Sequence, residues 1–149
     1  MKKTYYQHNQ HEHMKTDDQL KKGFNIYGSE ESHTIFITFF HNETETEDNI
    51  RATELVIAES RALLDAQGDG PYNAIVDTVA IPDGVRIVVP ESRKRYAELI
   101  EDARVHRVAF LGTNDFVASL IGTIGELTNH PTKVKWFSDT EEAKNWLKE

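Results

Sequence analysis

Residues 108–127 read VAFLGTNDFVASLIGTIGEL, and this stretch contains the structural unit on which the fold depends. It begins with apolar β-formers, as does a strand that is covered on both faces. Gly112 ends that run, and Thr113 or Asn114 is suited to cap a helix. Apolar residues then recur at helical spacing, at Phe116, Val117, Leu120, Ile121, Ile124 and Leu127. The stretch therefore predicts a buried strand, a short loop and an amphipathic helix.

The same alternation of strand and helix extends along the chain on both sides of this unit. Apolar runs predict strands at 34–40, 74–76 and 134–137, and helical spacing predicts helices at about 44–67, 92–102 and 139–148. Phe24 and Ile26 alternate with polar residues, so an edge strand is expected to form a hairpin with 34–40. Such alternation is typical of right-handed crossovers. The predicted fold class is α/β, with a mostly parallel sheet of about four to five strands, alternating helices and an N-terminal hairpin.

The segment from Val79 to Pro90 carries contradictory signals. Residues 82–84 (PDG) indicate a turn, and 85–89 (VRIVV) favours a strand because of its β-branched residues. Pro90 prevents a simple continuation of that strand. We interpret the segment as an irregular crossover or a short extra element. Ser92 is predicted to cap the helix that follows.

The first 22 residues show no periodic apolar pattern and are rich in His, Gln, Asn, Lys and Asp. We predict that 1–22 is a disordered polar tail and that 23–149 is one α/β domain. His8, His11 and His13 could meet a metal ion within the tail. A functional metal site needs fixed geometry, so we interpret any binding there as adventitious.

The composition excludes several classes of function. The chain has 149 residues, and its 17 basic and 25 acidic side chains give a net charge of −8. An acidic protein repels nucleic-acid phosphates and anionic lipid. The absence of cysteine excludes disulfides and thiolate chemistry. No apolar run approaches the roughly 20 residues of a membrane span, and Tyr5 to His13 is too polar for a signal peptide. We expect a cytoplasmic protein without a membrane span, a metal site or a cofactor.

Candidate site residues follow from the predicted sheet, because ligands of open α/β sheets bind at the carboxyl ends of the strands. Those ends carry polar residues, namely His41, Asn42, Asp77, Thr78, Thr113, Asn114, Ser138 and Asp139. We select Asp77, Thr78, Thr113 and Asn114 as candidate ligand-binding residues. For two of these residues a structural role stays open as the alternative to ligand binding. Asn114 is suited to cap a helix, and Asp77 could bond the backbone amides of its own loop.

A phosphoacceptor or an enzyme centred on Asp77 is the alternative function. Receiver-type chemistry also needs an acidic pair after the first strand and a lysine after the last. Here those strands end in His41-Asn42 and in Ser138. The sequence also lacks a glycine-rich phosphate loop, an H-E-x-x-H motif and a nucleophile elbow. We therefore expect a protein that is not an enzyme.

The C-terminal sequence carries a family resemblance. Residues 134–147 read VKWFSDTEEAKNWL and look like the strand, acidic cap and "EEAxxWL" helix that close the STAS-like domains of the SpoIIAA-like branch, which is grouped with the lipid-binding Sec14-type folds. In this helix Ala143, Trp146 and Leu147 are predicted to be buried. The strand that ends at Asp77 and the strand at 108–112 also match the order of that family, over roughly residues 23–148.

The resemblance implies a small non-enzymatic regulatory or binding module. Classical members carry a phosphorylatable serine in a D-S-[ST]-G segment, whereas residues 77–80 read DTVA here. The serine switch therefore does not carry over. We expect the module to act through contacts with an unknown protein partner or through a small apolar ligand, and homodimer formation is compatible with either. A scaffold that only assembles with itself is the third alternative.

Overall fold

The computed structural model describes residues 14–67 and 70–149, so His8, His11 and His13 lie outside the described residues. The elements, in chain order, are α1 (Asp17–Lys21), β1 (Phe24–Ser29), β2 (Thr34–Phe39), α2 (Thr46–Gln67), β3 (Tyr72–Asp77), α3 (Pro90–Ile100), β4 (Val105–Leu111), α4 (Asp115–Leu127), a 3₁₀ turn (Pro131–Lys133), β5 (Val134–Phe137) and α5 (Thr140–Lys148).

The five strands form a single sheet in the order β1-β2-β3-β4-β5. β1 is antiparallel to β2, with Ile26 opposite Ile37, and the remaining neighbours are parallel. This arrangement confirms the predicted α/β class, the mostly parallel sheet and the N-terminal hairpin. The carboxyl ends of β2, β3, β4 and β5 consequently lie along one edge of the sheet.

The sheet has different covers on its two faces. Because right-handed crossovers between successive neighbouring strands place their helices on one side, α2, α3 and α4 cover the same face. Their apolar residues form one core with β-strand residues such as Ile35, Val76 and Phe110. Helix α5 follows the last strand and packs on the opposite face, against β4 and β5. The uncovered part of that face lies on β1 and β2.

The last helix is anchored differently from the sequence prediction. Ala143 and Leu147 are buried as predicted, but Trp146 is only partly buried. Its ring packs against Phe137, with 5.5 Å between ring centroids, and the Arg107 guanidinium lies 5.0 Å from the ring centre. Asp139 rather than Ser138 caps the helix, and its side chain accepts a bond from the backbone N of Glu142. The apolar anchor of α5 is therefore Leu147.

The predicted tail boundary at residue 22 is wrong, because residues 17–21 form helix α1. Thr16 caps this helix and makes a capping box with Gln19. Leu20 is only 1% exposed and belongs to the main core. An ion pair of 2.8 Å between Asp17 and Arg51 joins α1 to α2. One apolar residue in a five-residue helix is too little for a periodic pattern, which explains why the sequence did not reveal it.

The ambiguous segment 79–89 contains no strand. Ile81, Val85 and Val89 point into the core, while side chains of distant asparagines bond the backbone of the segment. Asn42 accepts bonds from the N–H groups of Arg86 and Ile87, at 2.8 and 3.0 Å. Of the two interpretations, an irregular crossover and a short extra element, the structure therefore supports the irregular crossover.

Helix α3 begins earlier than predicted, because Pro90 occupies its first turn, where proline is favoured. Ser92 lies inside the helix, fully buried, and is not its cap. Its hydroxyl donates to Oδ1 of Asn49 at 2.8 Å. Asn49 therefore joins the start of α2 to the start of α3.

Candidate functional site

A cavity of about 120 Å³ lies between the sheet and the helices α2, α3 and α4. Its walls are almost entirely apolar, and they include Leu20, Phe24, Ile37, Leu64, Ala74, Val88, Ile100, Val108, Phe110, Leu120 and Ile124. Protein interiors are normally packed as densely as organic crystals, with few voids larger than a water molecule. A void of this size in the main core is therefore the first candidate for a binding site.

Short side chains on the inner face of α2 leave this space open. Ala52, Val56 and Ser60 line the cavity at helical spacing, and Ala74 lines it from the sheet. Longer residues at these positions would fill much of the volume. At roughly 24 cal/mol per Å³ of cavity, the empty volume of about 120 Å³ costs about 3 kcal/mol of stability.

The cavity has few polar groups, and most lie towards the carboxyl edge of the sheet. His41, Asn42, Glu43, Asn49, Thr53 and Thr78 line this part. Farther along α2, the Ser60 hydroxyl is buried, and no hydrogen-bond partner for it is found among the described residues. Such a group costs free energy unless a partner reaches it, because burial removes its contact with water.

The remaining hydroxyl of note belongs to Tyr96, which lines the cavity from α3. Burial raises the pKa of Tyr96 to about 12, and a hydrogen bond with Thr53 offsets part of that rise. The phenol therefore stays neutral at physiological pH, and its environment disfavours the phenolate. This agrees with a cavity interior that accepts uncharged groups.

Among the described residues that line this cavity, Glu43 and His41 are the ones that can carry a charge near neutral pH. Glu43 is 7% exposed, and its Oε1 lies 2.7 Å from the ammonium group of Lys15. His41 Nε2 lies 3.5 Å from the other carboxylate oxygen. The chain segment that leads into α1 thus covers a buried carboxylate, with Leu20 of the same helix forming part of the cavity wall.

Of the four residues selected from the sequence, the structure places only Thr78 on the cavity wall. The Thr78 hydroxyl donates to the carbonyl of Leu111 at 2.7 Å, which joins the ends of β3 and β4. Asp77 alternates with Val76 along the strand and so faces the opposite side of the sheet. Its Oδ1 accepts a bond of 2.9 Å from the N–H of Val79, as in an Asx turn.

The other two selected residues lie beyond the end of β4. Asn114 caps α4 by accepting from the N–H of Val117, and its amide also donates to the carbonyl of Val85. Thr113 is exposed. The structure therefore brings all four residues to one edge of the sheet but does not bring them around one site. A ligand-binding role for them stays a prediction.

We expect Asp77→Asn to be mildly destabilising, by less than about 1 kcal/mol, because an amide oxygen can still accept the bond from Val79. The measurement is urea unfolding together with labelling by acetyl phosphate. The wild-type protein should take up no label. Labelling of the wild type that disappears in Asp77→Asn would instead establish the phosphoacceptor alternative.

Within residues 14–67 and 70–149, no three His, Asp or Glu side chains converge as ligands for a metal ion.

The sequence prediction missed most of the cavity residues. They come from α1, β1 to β4, the segment 79–89 and the three covering helices, and no local motif links these parts of the chain. The one sequence signal that bears on the site is the set of short residues on the inner face of α2, namely Ala52, Thr53, Val56 and Ser60.

No helix among the described residues is long and apolar enough to cross a membrane.

Comparison with known proteins identifies the fold. No family model and no curated protein matches the chain. Among solved structures, the chain is similar to an uncharacterized protein of the DUF3478 family, with a SpoIIAA-like fold, from Shewanella loihica PV-4. The TM-score is 0.53 at 18% identity, and the match covers 83% of this chain and 91% of the other. This similarity confirms the SpoIIAA-like fold that the sequence resemblance predicted, and at this identity it shows the fold alone.

Proposed function

We propose that this protein of SpoIIAA-like fold is a non-enzymatic binding module that holds a small apolar molecule between its sheet and helices α2, α3 and α4. The observation that carries the proposal is the apolar cavity of about 120 Å³ in the main core. Residues 15–149 form the binding domain in this proposal, because α1 supplies part of the cavity wall.

The size and lining of the cavity limit the ligand. An engineered apolar cavity of about 150 Å³ stays dry and binds benzene or xenon. By that comparison, a volume of about 120 Å³ accepts a body of about six carbon atoms. Such a ligand would regain part of the roughly 3 kcal/mol that the empty cavity costs, and it would bind the native state only.

Ligand binding could be transmitted to the surface through two wall segments. Leu20 belongs to the short helix α1, and Ile81 and Val85 belong to the irregular segment 79–89. Both segments are held by side-chain bonds and not by strand pairing. Filling the cavity should therefore stabilise them more than the sheet, which supports a regulatory role.

Action through protein contacts, including homodimer formation, is the alternative mode. The feature that supports it is an aromatic pair on the part of the sheet that α5 leaves uncovered. The rings of Tyr27 and Phe36 stack with 4.9 Å between centroids, and Tyr27 is 52% exposed. No ligand is needed for this mode, so the experiment below separates the two.

Benzene should bind the cavity and stabilise the folded protein. At about ten times its Kd, benzene is expected to raise the free energy of unfolding by about 1.4 kcal/mol. Thermal unfolding gives the stabilisation, and amide chemical shifts should change at residues that line the cavity. A protein whose stability and spectrum are unaffected by benzene at its solubility limit would contradict the proposal.

Two alanine-to-leucine variants of α2 provide the matched control. Ala52 faces the cavity, whereas Ala58 is exposed on the outer side of the same helix. Ala52→Leu should fill the space and abolish the stabilisation by benzene. Ala58→Leu should leave that stabilisation unchanged.

A further inference from the structure

A shallow polar cleft of about 200 Å³ lies directly outside the apolar cavity. It is lined by Lys15, Gln19, Lys22, Gly23, His41 and Glu43. Three of these residues, Gly23, His41 and Glu43, also line the cavity. The two spaces therefore adjoin at this wall, and the cleft lies at the end of the cavity where its polar groups are concentrated.

The charges around the cleft differ in sign from the charge of the chain as a whole. Two ammonium groups, on Lys15 and Lys22, face one carboxylate, on Glu43, and His41 adds a positive charge when it is protonated. The chain carries a net charge of −8. A local excess of positive charge beside an apolar cavity in an acidic protein favours an anionic group at this place.

Lys15 can hold a second anion beside Glu43. Its ammonium group has three N–H donors. One bonds Glu43 at 2.7 Å, and His41 Nε2 lies 3.4 Å from the same nitrogen, so one donor is left for a ligand. Lys22 also lines the cleft, at the C-terminal end of α1, and its side chain is exposed. Charge-assisted bonds from ammonium groups to a carboxylate are among the stronger hydrogen bonds in proteins.

We infer that the ligand is a small carboxylic acid whose apolar body of about six carbons fills the cavity and whose carboxylate lies in the outer cleft, against Lys15 and Lys22. The inference rests on the proposed function and adds the ligand's polar end to it. The class comprises short aliphatic and simple aromatic acids. Longer chains exceed the volume of the cavity.

The test compares hexanoate with 1-hexanol, which has the same chain length and no charge. Titration followed by amide chemical shifts gives both affinities at pH 7. Hexanoate is expected to bind at least tenfold more tightly than 1-hexanol, with shifts at cavity residues for both. Equal affinities would overturn the carboxylate inference and leave the apolar-ligand function standing. Failure of both probes to bind would overturn the proposed function and this inference together.

A charge-reversal variant assigns the effect to the cleft. Lys22→Glu is expected to weaken hexanoate binding by about tenfold while leaving the affinity for 1-hexanol unchanged. Lys144→Glu changes the net charge equally, at an exposed position on α5, and should leave both affinities unchanged. Equal weakening of hexanoate in the two variants would show a general charge effect and would overturn the assignment to the cleft.

Discussion

Replacing Asn49 by alanine is expected to lower the free energy of unfolding by about 4 kcal/mol. The Asn49 side chain is buried and makes four hydrogen bonds to three segments of the chain. Its amide nitrogen donates to the carbonyls of Glu43 and Ile87, at 2.8 and 3.2 Å. Its oxygen accepts from the Val89 N–H and the Ser92 hydroxyl, at 3.2 and 2.8 Å.

The size of the effect follows from what the substitution leaves behind. Alanine removes the side chain but leaves its four partners in place. The Ile87 carbonyl keeps a bond from Asn42, and the Ser92 hydroxyl keeps one to the backbone carbonyl of residue 49. The Glu43 carbonyl and the Val89 N–H lose the bonds that Asn49 supplies, and each buried polar group without a partner costs about 1–3 kcal/mol. Water can reach some of them as the segment 79–89 loosens, so the total falls below the sum. Asn49→Asp should cost at least as much as alanine, because it buries a charge and turns an acceptor oxygen towards the carbonyls of Glu43 and Ile87.

Urea unfolding checks this prediction. Asn145→Ala is the matched control, since Asn145 is exposed on α5 and its replacement should change stability by less than about 0.5 kcal/mol. In Asn49→Ala, amide exchange should also be faster across 81–89 than in the sheet. A loss below about 1 kcal/mol would mean that the four bonds contribute little net free energy.

The second large effect is expected at Leu20, where alanine should cost about 3 kcal/mol. Leu20 is 1% exposed and is the buried apolar residue of α1. A helix of five residues has no stability of its own in water, so α1 depends on this contact. Because Leu20 also lines the ligand cavity, the substitution enlarges the existing void and does not create a separate one.

Two truncations extend this test. Deletion of residues 1–22 removes Leu20 and the ion pairs of Lys15 and Asp17, and it should destabilise the protein at least as much as Leu20→Ala. This replaces the expectation, drawn from the sequence alone, that residues 1–22 form a disordered tail. Deletion of residues 1–13 removes none of these contacts, so it should leave the stability unchanged.

Leu127→Ala is the control for the Leu20→Ala substitution, because it removes the same side chain at a position that is 52% exposed. If Leu20→Ala proves as mild as Leu127→Ala, α1 does not anchor the fold.

The order of the five strands and of helices α2 to α5, the α/β class and the hairpin could all be read from the sequence. Each of these features depends on periodicity and on local caps, which act over a few residues along the chain. The unit at 108–127 shows this, because its strand, the Asn114 cap and most of the inner face of α4 lie where their residue types predict. Leu127, at the end of that helix, is the exception, since it is 52% exposed. The same periodicities, about 3.6 residues in a helix and about two in a strand, also predict which sides of α4 and of the sheet face the core.

Tertiary structure alone decided the form of segment 79–89 and of α1. The β-branched residues of 85–89 favour a strand locally, but their backbone groups find partners in Asn42 and Asn49, which lie about 40 residues earlier in the chain. Leu20 is one apolar residue among polar ones, and only the surrounding core shows that it is buried. Long-range hydrogen bonds and burial outweigh local preference at both places.

The candidate site was also a matter of tertiary structure. Strand ends were a reasonable place to look, and the polar end of the cavity does lie near the carboxyl edge of the sheet. The cavity itself is a space left between short side chains, such as Ala52 and Ala74, that are distant in sequence. Sequence periodicity determines which side of an element faces the core, but the volume left over there depends on how facing elements pack, and no single segment of the chain encodes that quantity.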